Sequence, residues 1–332
     1  MARVLVIGGS GFVGRHLCDT LLRLGWQVVA TWHDRPPAGS LPEVQWLRLD
    51  VCDAAAVREA LRAARCPFIV HLAGQSSAAR SFADPERTTR INFSGSIHVF
   101  RAAAEVGGCK RLVWVGSAEQ YGAVSPLQTP VSEDVGFSPR NPYGIAKAAA
   151  DRFAAVCYPP GKLPIVRVRL FPCTGPGQAD AFVCSDFARQ VVTGEQKGGE
   201  VCIRGGNLEV VRDFTDVRDV SGALALLLEH GEGGQAYNVC SGIGRTPRQI
   251  GQQLLALAGC EGQVVSDPEK FRPADVPVLV GRNQKLCEAT GWQPRIPWKQ
   301  TLEDLLADWR GRLGRQPRSL SEKNLGRGHW SR

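Results

Sequence analysis

Short apolar runs and longer segments with helical periodicity alternate along the first half of the chain. The run from Arg3 to Ile7 has the length and composition of a buried strand. It is followed by a segment, Gly14 to Leu24, in which leucines recur at near-helical spacing and Gly25 ends the pattern. The alternation continues with strands predicted over 27–32, 44–49, 68–72 and 111–115, and helices over 54–64 and 85–106. This order predicts right-handed crossovers and a doubly wound parallel sheet, an α/β fold of the Rossmann type.

The second half of the chain has shorter elements that are separated by prolines and glycines. A hairpin is predicted from strands 202–204 and 208–211 around the turn Gly205-Gly206-Asn207. The remaining helical and strand patterns lie at 217–229, 236–239, 248–258 and 302–309. We expect this half to form a smaller C-terminal α/β lobe that is interleaved with strands returning to the first sheet.

Composition is that of an ordinary globular protein. The chain has 332 residues, 43% of them hydrophobic and 22% charged, which suits about two domains. Its apolar runs are far shorter than the roughly 18 residues of a membrane span. The apolar start is broken at Gly8 and Gly9, which favours a strand over a signal peptide, so we expect a soluble, cytoplasmic protein without a membrane partner. Eleven cysteines without CxxC spacing predict reduced thiols, no disulfide framework and no metal site.

The net charge of +8 is concentrated at the end of the chain. Seven of the 40 basic residues and one of the 32 acidic residues lie in 310–332, which leaves 33 basic and 31 acidic residues in the rest. A basic tail could contact nucleic acid, but a solvated, flexible terminus is the more common outcome. We therefore expect a flexible tail and no nucleic-acid partner.

A glycine-rich segment directly follows the first predicted strand and opens the first helix. Within it, Gly8 allows a tight turn, Gly11 lets backbone N–H groups approach a pyrophosphate, and Gly14 permits close packing of helix and sheet. Phe12 and Val13 lie between the last two glycines. Because the N-terminus of a helix attracts anions, this turn predicts a dinucleotide site.

The end of the second strand bears on the choice between NAD and NADP. Trp32 stands where an acidic residue would accept from the ribose 2′-OH, and His33 and Arg35 follow it. Basic groups without a leading carboxylate favour a 2′-phosphate, so NADP(H) is preferred. Asp34 comes late but keeps NAD(H) possible. The adenine is expected at the end of the third strand, beside Asp50 and Val51.

Three residues form a candidate catalytic group. Tyr143 and Lys147 are four apart, which places them on one face of a helix. A nearby ammonium favours the phenolate, so we expect Lys147 to bring the pKa of Tyr143 down toward the working range. Ser117 ends a predicted strand and can hydrogen-bond the same substrate oxygen. In this order, after the glycine turn, the three residues predict proton transfer coupled to a nicotinamide cofactor.

These features resemble the extended short-chain dehydrogenases/reductases over nearly the whole chain, from Val4 to about Arg310. Within that class the chain is similar to the GDP-4-keto-6-deoxy-D-mannose reductases and the related GDP-mannose 4,6-dehydratases. The string 212–219, Arg-Asp-Phe-Thr-Asp-Val-Arg-Asp, looks more like the reductases. Other segments that carry the resemblance are 71–77, 116–122, 141–144, 174–178, 206–208, 237–242, 272–273 and 291–292.

The resemblance implies roles for individual positions. Ser117, Tyr143 and Lys147 match the catalytic triad, and Arg212 and Arg272 match arginines that hold the substrate diphosphate. Further cofactor contacts are implied at Leu72, Ala73, Gly74 and Asn92, and substrate contacts at Ser76, Ser117 and Glu119. The family also implies a homodimer that forms through a four-helix bundle of 85–106 and the Tyr143 helix.

Two positions complicate the comparison. The relatives read Phe-Asn-His where this chain reads Phe171-Pro172-Cys173, so the asparagine that would contact the substrate is absent. Glu119 lies two positions after Ser117, where the dehydratases carry the base that removes the sugar C5 proton. Three interpretations of Glu119 stay open: a dehydratase base, a substrate contact, or a solvated side chain without a chemical role.

Three functional hypotheses follow. The first is NAD(P)H-dependent reduction of the C4 keto group of a nucleotide-linked 4-keto-6-deoxy sugar. The second is a GDP-mannose 4,6-dehydratase that uses Glu119, and the third is a non-catalytic dinucleotide-binding protein. The expected division of the chain is a nucleotide-binding domain over 1–170, to which 213–242 returns, a substrate lobe over 171–212 and 243–309, and the tail 310–332.

Overall fold

The structure is a computed structural model that describes residues 2–34, 36, 41–271 and 276–314. Its strands are β1 (Arg3–Ile7), β2 (Gln27–Trp32), β3 (Gln45–Arg48), β4 (Phe68–His71), β5 (Arg111–Val115), β6 (Ile165–Leu170), β7 (Cys173–Thr174), β8 (Val201–Gly205), β9 (Val211–Asp213), β10 (Thr215–Asp216), β11 (Ala236–Val239), β12 (Gly244–Arg245), β13 (Gly262–Ser266) and β14 (Val278–Leu279). Its α-helices are α1 (Phe12–Arg23), α2 (Ala54–Ala64), α3 (Ala78–Ala83), α4 (Pro85–Thr89), α5 (Gly95–Val106), α6 (Pro142–Cys157), α7 (Val183–Lys197), α8 (Val217–His230), α9 (Pro247–Ala258), α10 (Gln284–Thr290) and α11 (Trp298–Gly314). A π-helical turn, Arg90–Ser94, joins α4 to α5.

Seven parallel strands form the central sheet, in the order β11-β6-β5-β4-β1-β2-β3. From β1 the chain moves outward to β2 and β3, then returns to pair β4 on the other side of β1. The strand order therefore reverses between β1 and β4, and in such sheets ligands bind at the carboxyl ends of the strands beside that point. The predicted Rossmann-type α/β fold is confirmed.

Apolar side chains cover both faces of this sheet. Along β1, Val4 and Val6 face one side and Leu5 and Ile7 the other, as the alternation of a strand requires. The first side packs against α1 and α8, and the second against α2, α5 and α6. Because both faces are buried, the inner strands read as nearly continuous apolar runs in the sequence.

A separate cluster of buried residues forms the core of the smaller lobe, between α7, α9, α11 and the strands β8 and β13. There β8 pairs in parallel with β13, while β9 pairs with β12 and β14. The predicted hairpin is therefore wrong. Leu208 is buried in this core, and a Cβ at Gly205 would come within 2.5 Å of the Phe187 ring. The chain turns inward at this point to pack against α7 instead of folding back to pair with β8.

The sequence pattern did not predict α3, α7 and α10, and two of the predicted helices differ in extent. The helix predicted over 85–106 is interrupted by the π-helical turn, and α11 extends to Gly314. Residues 310–314, expected in the basic tail, are thus helical: Arg310 forms an ion pair with Glu195, and Arg312 pairs with Asp308 at 2.6 Å. The acidic partners of these two arginines lie on α7 and on α11 itself. The rest of the expected tail, 315–332, lies outside the described residues.

Among the helices of the described residues, none is long and apolar enough to span a bilayer. The strand β11 lies at one edge of the central sheet, although β8 and β13 of the smaller lobe precede and follow it in sequence. The division of the chain into the two expected domains stays a prediction.

Candidate active site

A cavity of about 970 Å³ opens at the carboxyl ends of β1, β4, β5 and β6. On the sheet side it is lined by the glycine turn, by the segment after β4 and by Tyr143 and Lys147. The smaller lobe closes the other side with residues 178–187, 205–207 and 269–271. Its volume lies at the upper end of the range for small-molecule sites, which suits a dinucleotide and a second ligand together.

The glycine turn leaves no room for side chains. Gly8 has φ +87°, and a Cβ there would come within 2.6 Å of the Ala73 nitrogen. A Cβ at Gly14 would come within 2.4 Å of the Gly8 carbonyl oxygen. Gly11 is the N-cap of α1, and since glycine has no side chain, it provides no capping acceptor for the first N–H groups of that helix. With Phe12 and Val13 also lining the cavity, the turn fits a pyrophosphate.

The described residues expected beside the adenosine lie at the ends of β2 and β3 and are not among those that line the cavity. The His33 ring lies 2.7 Å from Asp34 through Nδ1 and 3.6 Å from Asp50 through Nε2. The hydrogen bond that Cys52 N donates to Asp50 at 2.8 Å is the largest influence that lowers the pKa of that carboxyl. Arg35 lies outside the described residues, and Val51 is buried against Gly95 of α5.

Arg48 is a basic residue at this end that the sequence pattern did not predict. It pairs with Trp32 in the register of β2 and β3, and its guanidinium lies 5.8 Å from the indole centroid. Its contact with Trp32 depends on the register of the two strands, which spacing along the sequence does not indicate.

Asn92 fixes the segment that follows β4. It is fully buried in the π-helical turn, accepts a hydrogen bond from Gln75 N at 2.9 Å and donates one to Gln75 O at 2.9 Å. A Cβ at Gly74 would lie 2.7 Å from Asn92 Oδ1 and 3.5 Å from Lys147 Nζ. Glycine at this position therefore lets the backbone pass between the two side chains. Leu72, Gly74 and Ser76 line the cavity, and the backbone of Ala73 touches the glycine turn.

Helix α6 presents Tyr143 and Lys147 to the cavity from successive turns. Its N-cap, Asn141, accepts from Gly144 N at 2.8 Å, and Pro142 occupies the first helical position. Lys147 is buried, donates to Val115 O at 2.8 Å and lies 5.2 Å from the centroid of the Trp114 ring. Burial lowers the pKa of Lys147 to about 8.

The expected lowering of the Tyr143 pKa by the neighbouring lysine is wrong for the protein residues alone. Burial of the phenol raises its pKa to about 12, and a hydrogen bond with Ser117 only partly opposes this effect. The charge of Glu119 raises the pKa further. The phenol is therefore protonated at neutral pH and can donate a proton without first acquiring one.

Ser117 and Glu119 belong to a short 3₁₀ turn after β5. Ser117 Oγ accepts from Glu119 N at 3.2 Å, and Ser117 N donates to Gln120 Oε1 at 2.7 Å. Glu119 Oε2 accepts from Asn141 Nδ2 at 2.7 Å. One asparagine thus holds both the start of the Tyr143 helix and the carboxylate of Glu119, so that the turn and α6 keep a fixed relation.

The segment that departs from the relatives forms an apolar part of the cavity wall. Pro172 O accepts from Thr215 N at 3.0 Å, and Cys173 O accepts from Gln178 Nε2 at 2.8 Å, so the backbone is held on two sides. Burial raises the pKa of the Cys173 thiol to about 12, which keeps it neutral. At the positions where the resemblance implies asparagine and histidine, this wall is formed by a proline ring and a neutral thiol.

Of the two arginines predicted to hold the substrate diphosphate, the structure describes only Arg212. Arg212 is buried, lines the cavity and donates to Val211 O at 2.9 Å. Arg272 lies outside the described residues. The exposed ring of Phe271, at half of its full accessibility, lines the cavity directly before it.

A Rossmann sheet with a glycine turn at its switch point, and a Ser-Tyr-Lys group facing that turn, define an extended short-chain dehydrogenase/reductase. Comparison with known proteins identifies the family. The chain belongs to the family described as GDP-mannose 4,6 dehydratase, whose profile matches residues 5–305. The resemblance found in the sequence is therefore confirmed.

Individual relatives are reductases, dehydratases and epimerases of sugar nucleotides. The chain is 35% identical to GDP-6-deoxy-D-mannose reductase of Pseudomonas aeruginosa, over 94% of this chain and 98% of the relative. It is 27% identical to dTDP-D-glucose 4,6-dehydratase of Mus musculus, over 91% and 86%. Among solved structures, RMD from Pseudomonas aeruginosa complexed with NADPH superposes with a TM-score of 0.80 at 33% identity, over 94% of this chain and all of that one. The UDP-glucose 4-epimerase of Thermus thermophilus with NAD superposes with a TM-score of 0.81 at 30% identity, over 93% and 99%.

Proposed function

We propose that the protein reduces the C4 keto group of a nucleotide-linked 4-keto-6-deoxy sugar with NADPH, and that GDP-4-keto-6-deoxy-D-mannose is the substrate. The observation that carries this proposal is the buried, protonated phenol of Tyr143 beside Ser117 in the cavity. The 35% identity to a GDP-6-deoxy-D-mannose reductase over almost the whole chain supports the same reaction and the same substrate class.

In the proposed reaction NADPH, when bound, supplies a hydride to the sugar C4. Tyr143 donates the phenolic proton to the carbonyl oxygen at the same carbon, so the C=O bond becomes a C–H and an O–H bond. Ser117 hydrogen-bonds that oxygen and orients it toward Tyr143. Lys147 is cationic below about pH 8 and holds the cofactor ribose. The tyrosinate that remains regains a proton from solvent, which completes the balance.

NADP(H) is the proposed cofactor, and NAD(H) remains possible. The relative with the same proposed chemistry was solved with NADPH, while an epimerase neighbour holds NAD. Arg48 beside Trp32, together with Arg35, provides positive charge for a 2′-phosphate. The Asp34 and Asp50 carboxylates around His33 would repel a 2′-phosphate. We therefore expect only a moderate preference for NADPH over NADH.

The 4,6-dehydratase is the weaker alternative. Glu119 lines the cavity two positions after Ser117, the spacing that the resemblance implies for such a base, and Asn141 holds its carboxylate. The identity to the dTDP-D-glucose 4,6-dehydratases of Mus musculus and Homo sapiens is 27% and 25%, compared with 35% to the reductase, which favours reduction. We therefore propose that Glu119 contacts the substrate and does not remove its C5 proton.

A homodimer is proposed to form through α5 and α6. The outer face of α6 carries a stripe of exposed residues at spacings of three and four: Ile145, Ala149, Arg152 and Val156. Ile145 and Val156 are 56% and 78% exposed, which is high for apolar side chains on one face of a helix. Pairing of these faces would give a four-helix bundle. A cytoplasmic location and the lack of a nucleic-acid partner stay predictions.

The deciding experiment follows the absorbance of NADPH with two substrates. A reductase consumes one NADPH for each GDP-4-keto-6-deoxy-D-mannose supplied and leaves GDP-mannose unchanged. A dehydratase converts GDP-mannose to the keto sugar without net consumption of NADPH. Binding of NADPH without turnover of any keto-sugar nucleotide would favour the non-catalytic hypothesis, and GDP-, UDP- and dTDP-linked sugars compared by thermal shift would identify the nucleotide.

A further inference from the structure

A buried hydroxyl behind the cavity connects the elements that hold Lys147. Ser96, on α5, is 1% exposed and donates to Asn92 O at 2.7 Å. The same oxygen accepts from Trp114 Nε1 at 3.0 Å and lies 3.4 Å from His71 Nε2. One serine oxygen therefore touches the π-helical turn, β4 and β5 at a single point.

The Trp114 indole is the face against which Lys147 lies. Its ring is fully buried, and the Lys147 ammonium lies 5.2 Å from the ring centroid. An aromatic face stabilises the charged form of a lysine, most strongly where water is excluded. The position of the indole depends on its N–H, which donates to Ser96 Oγ. The Ser96 hydroxyl thereby reaches Lys147 through the indole ring.

The histidine at this point stays neutral. The Ser96 hydroxyl has a single hydrogen and donates it to Asn92 O, so a hydrogen bond between His71 Nε2 and Ser96 Oγ requires the proton on Nε2. Nδ1 is then an acceptor, and it has no hydrogen-bond partner within the described part of the chain. Burial, followed by the charge of Lys147, lowers the pKa of His71 to about 3. The imidazole thus fills space near the ammonium without adding a second positive charge.

We propose that Ser96 is a positioning residue that keeps Lys147 cationic by fixing the Trp114 ring beneath it. The proposal rests on the proposed role of Lys147 in holding NADPH. Within the described residues, the titratable groups that neighbour the ammonium are His71 on β4 and Tyr143 one turn earlier on α6, and both are neutral near pH 8. A pH dependence of NADPH affinity near that value therefore belongs to Lys147.

The test measures NADPH affinity by fluorescence from pH 6 to 10 in Ser96→Ala. The wild-type protein is expected to lose affinity as the pH rises through about 8. In Ser96→Ala the midpoint of this loss is expected at a pH lower by roughly half a unit to one unit, because the indole no longer stabilises the charge of the ammonium. Affinity at pH 6 should stay within about twofold of wild type, whereas affinity at pH 8 should fall several-fold.

Ser221→Ala is the matched control. Ser221 is also fully buried and donates to the carbonyl four residues earlier, Val217 O at 2.9 Å, but it lies on α8 away from the cavity. It should lose similar thermal stability without any shift in the pH dependence. An equal pH dependence in Ser96→Ala and Ser221→Ala would overturn the proposal. If Ser96→Ala does not fold, Ser96→Cys provides the same comparison, since a thiol is a weaker acceptor for the indole N–H.

A double variant tests whether Ser96 acts through the indole. Trp114→Phe removes the N–H and should shift the pH dependence by itself, and adding Ser96→Ala should then shift it little further. Fully additive shifts would show that Ser96 acts by another route. Because the readout is binding, a protein that binds NADPH but reduces no keto sugar would refute the proposed function and leave this test in force.

Discussion

Replacement of Tyr143 by phenylalanine isolates the phenolic oxygen. The ring is 8% exposed and packs in the same place in either residue, so the substitution removes one hydroxyl and its hydrogen bond with Ser117. The glycine turn and Lys147 are untouched. NADPH affinity should therefore stay within about twofold of wild type, since the groups proposed to bind it remain.

The expected loss of turnover is much larger than the loss of stability. A positioned general acid contributes a factor on the order of 10² or more, which corresponds to about 2.7 kcal/mol in the activation barrier. One hydrogen bond to a neutral partner contributes about 1 kcal/mol to folding. A residue with a purely structural role would show the second effect and not the first.

The assay measures NADPH affinity, thermal stability and turnover of GDP-4-keto-6-deoxy-D-mannose in Tyr143→Phe and in a control. Tyr237→Phe is the control, because Tyr237 is 2% exposed and its hydroxyl also has one hydrogen bond, accepted from Glu232 N at 3.2 Å. It should lose comparable stability and keep its turnover. Turnover of Tyr143→Phe within a few-fold of wild type would refute the proposed proton transfer.

Four further outcomes are expected. Turnover should decline as the pH rises through about 8, where Lys147 loses its proton; a pH profile that is flat to pH 10 would contradict this assignment. Glu119→Gln should retain NADPH-dependent reduction within about tenfold, since an amide oxygen can still accept from Asn141. A dehydratase would instead lose its base, and its rate would fall by a factor of about 10² or more, which analysis of the products would show. Substitution of His33 and Arg35 by alanine should weaken NADPH more than NADH in a binding titration, and equal losses would show that the 2′-phosphate is not bound there. Sedimentation should give twice the 35.9 kDa of one chain, and Ile145→Lys should shift it toward the monomer; a wild-type monomer would exclude the proposed dimer.

The sequence predicted those parts of the fold that depend on local pattern. β1 was recognisable as an inner strand because Val4, Leu5, Val6 and Ile7 form a continuous apolar run. Such a run is expected where successive side chains are buried on both faces of a sheet. The glycine turn was identifiable because its spacing follows from the geometry of one strand, one turn and one helix. The pairing partners of β8 were not predictable in this way, because β13 lies about 60 residues later and the choice depends on the core of α7 and α9.

The chemistry of the site was predicted less completely than its residues. The sequence indicated that Tyr143 and Lys147 share a helix face, but the pKa of each depends on the elements that bury them. The contacts of Ser96 Oγ could not be predicted from sequence spacing, because they join residues of the π-helical turn, β4 and β5, which are adjacent only after folding. Arg48 was overlooked for the same reason, since its contact with Trp32 depends on the register of two strands.

Burial shifts the pKa values of Tyr143 and Lys147 in opposite directions, and the two pKa values together define the pH range over which the proposed reduction can proceed. The pKa of Tyr143 rises to about 12 and that of Lys147 falls to about 8, so below pH 8 the site combines a neutral phenol with an ammonium. A neutral phenol is the form that can protonate a carbonyl oxygen, as the proposed reduction requires. The folded pKa of Lys147 is below its unfolded value of 10.5, so its burial opposes folding most below pH 8, and this penalty disappears as the pH rises toward 10.5. Activity and this contribution to stability therefore change in opposite directions above pH 8: the protein keeps a buried cation at a cost in stability, and the cation is present over the same pH range in which the proposed cofactor contact needs it.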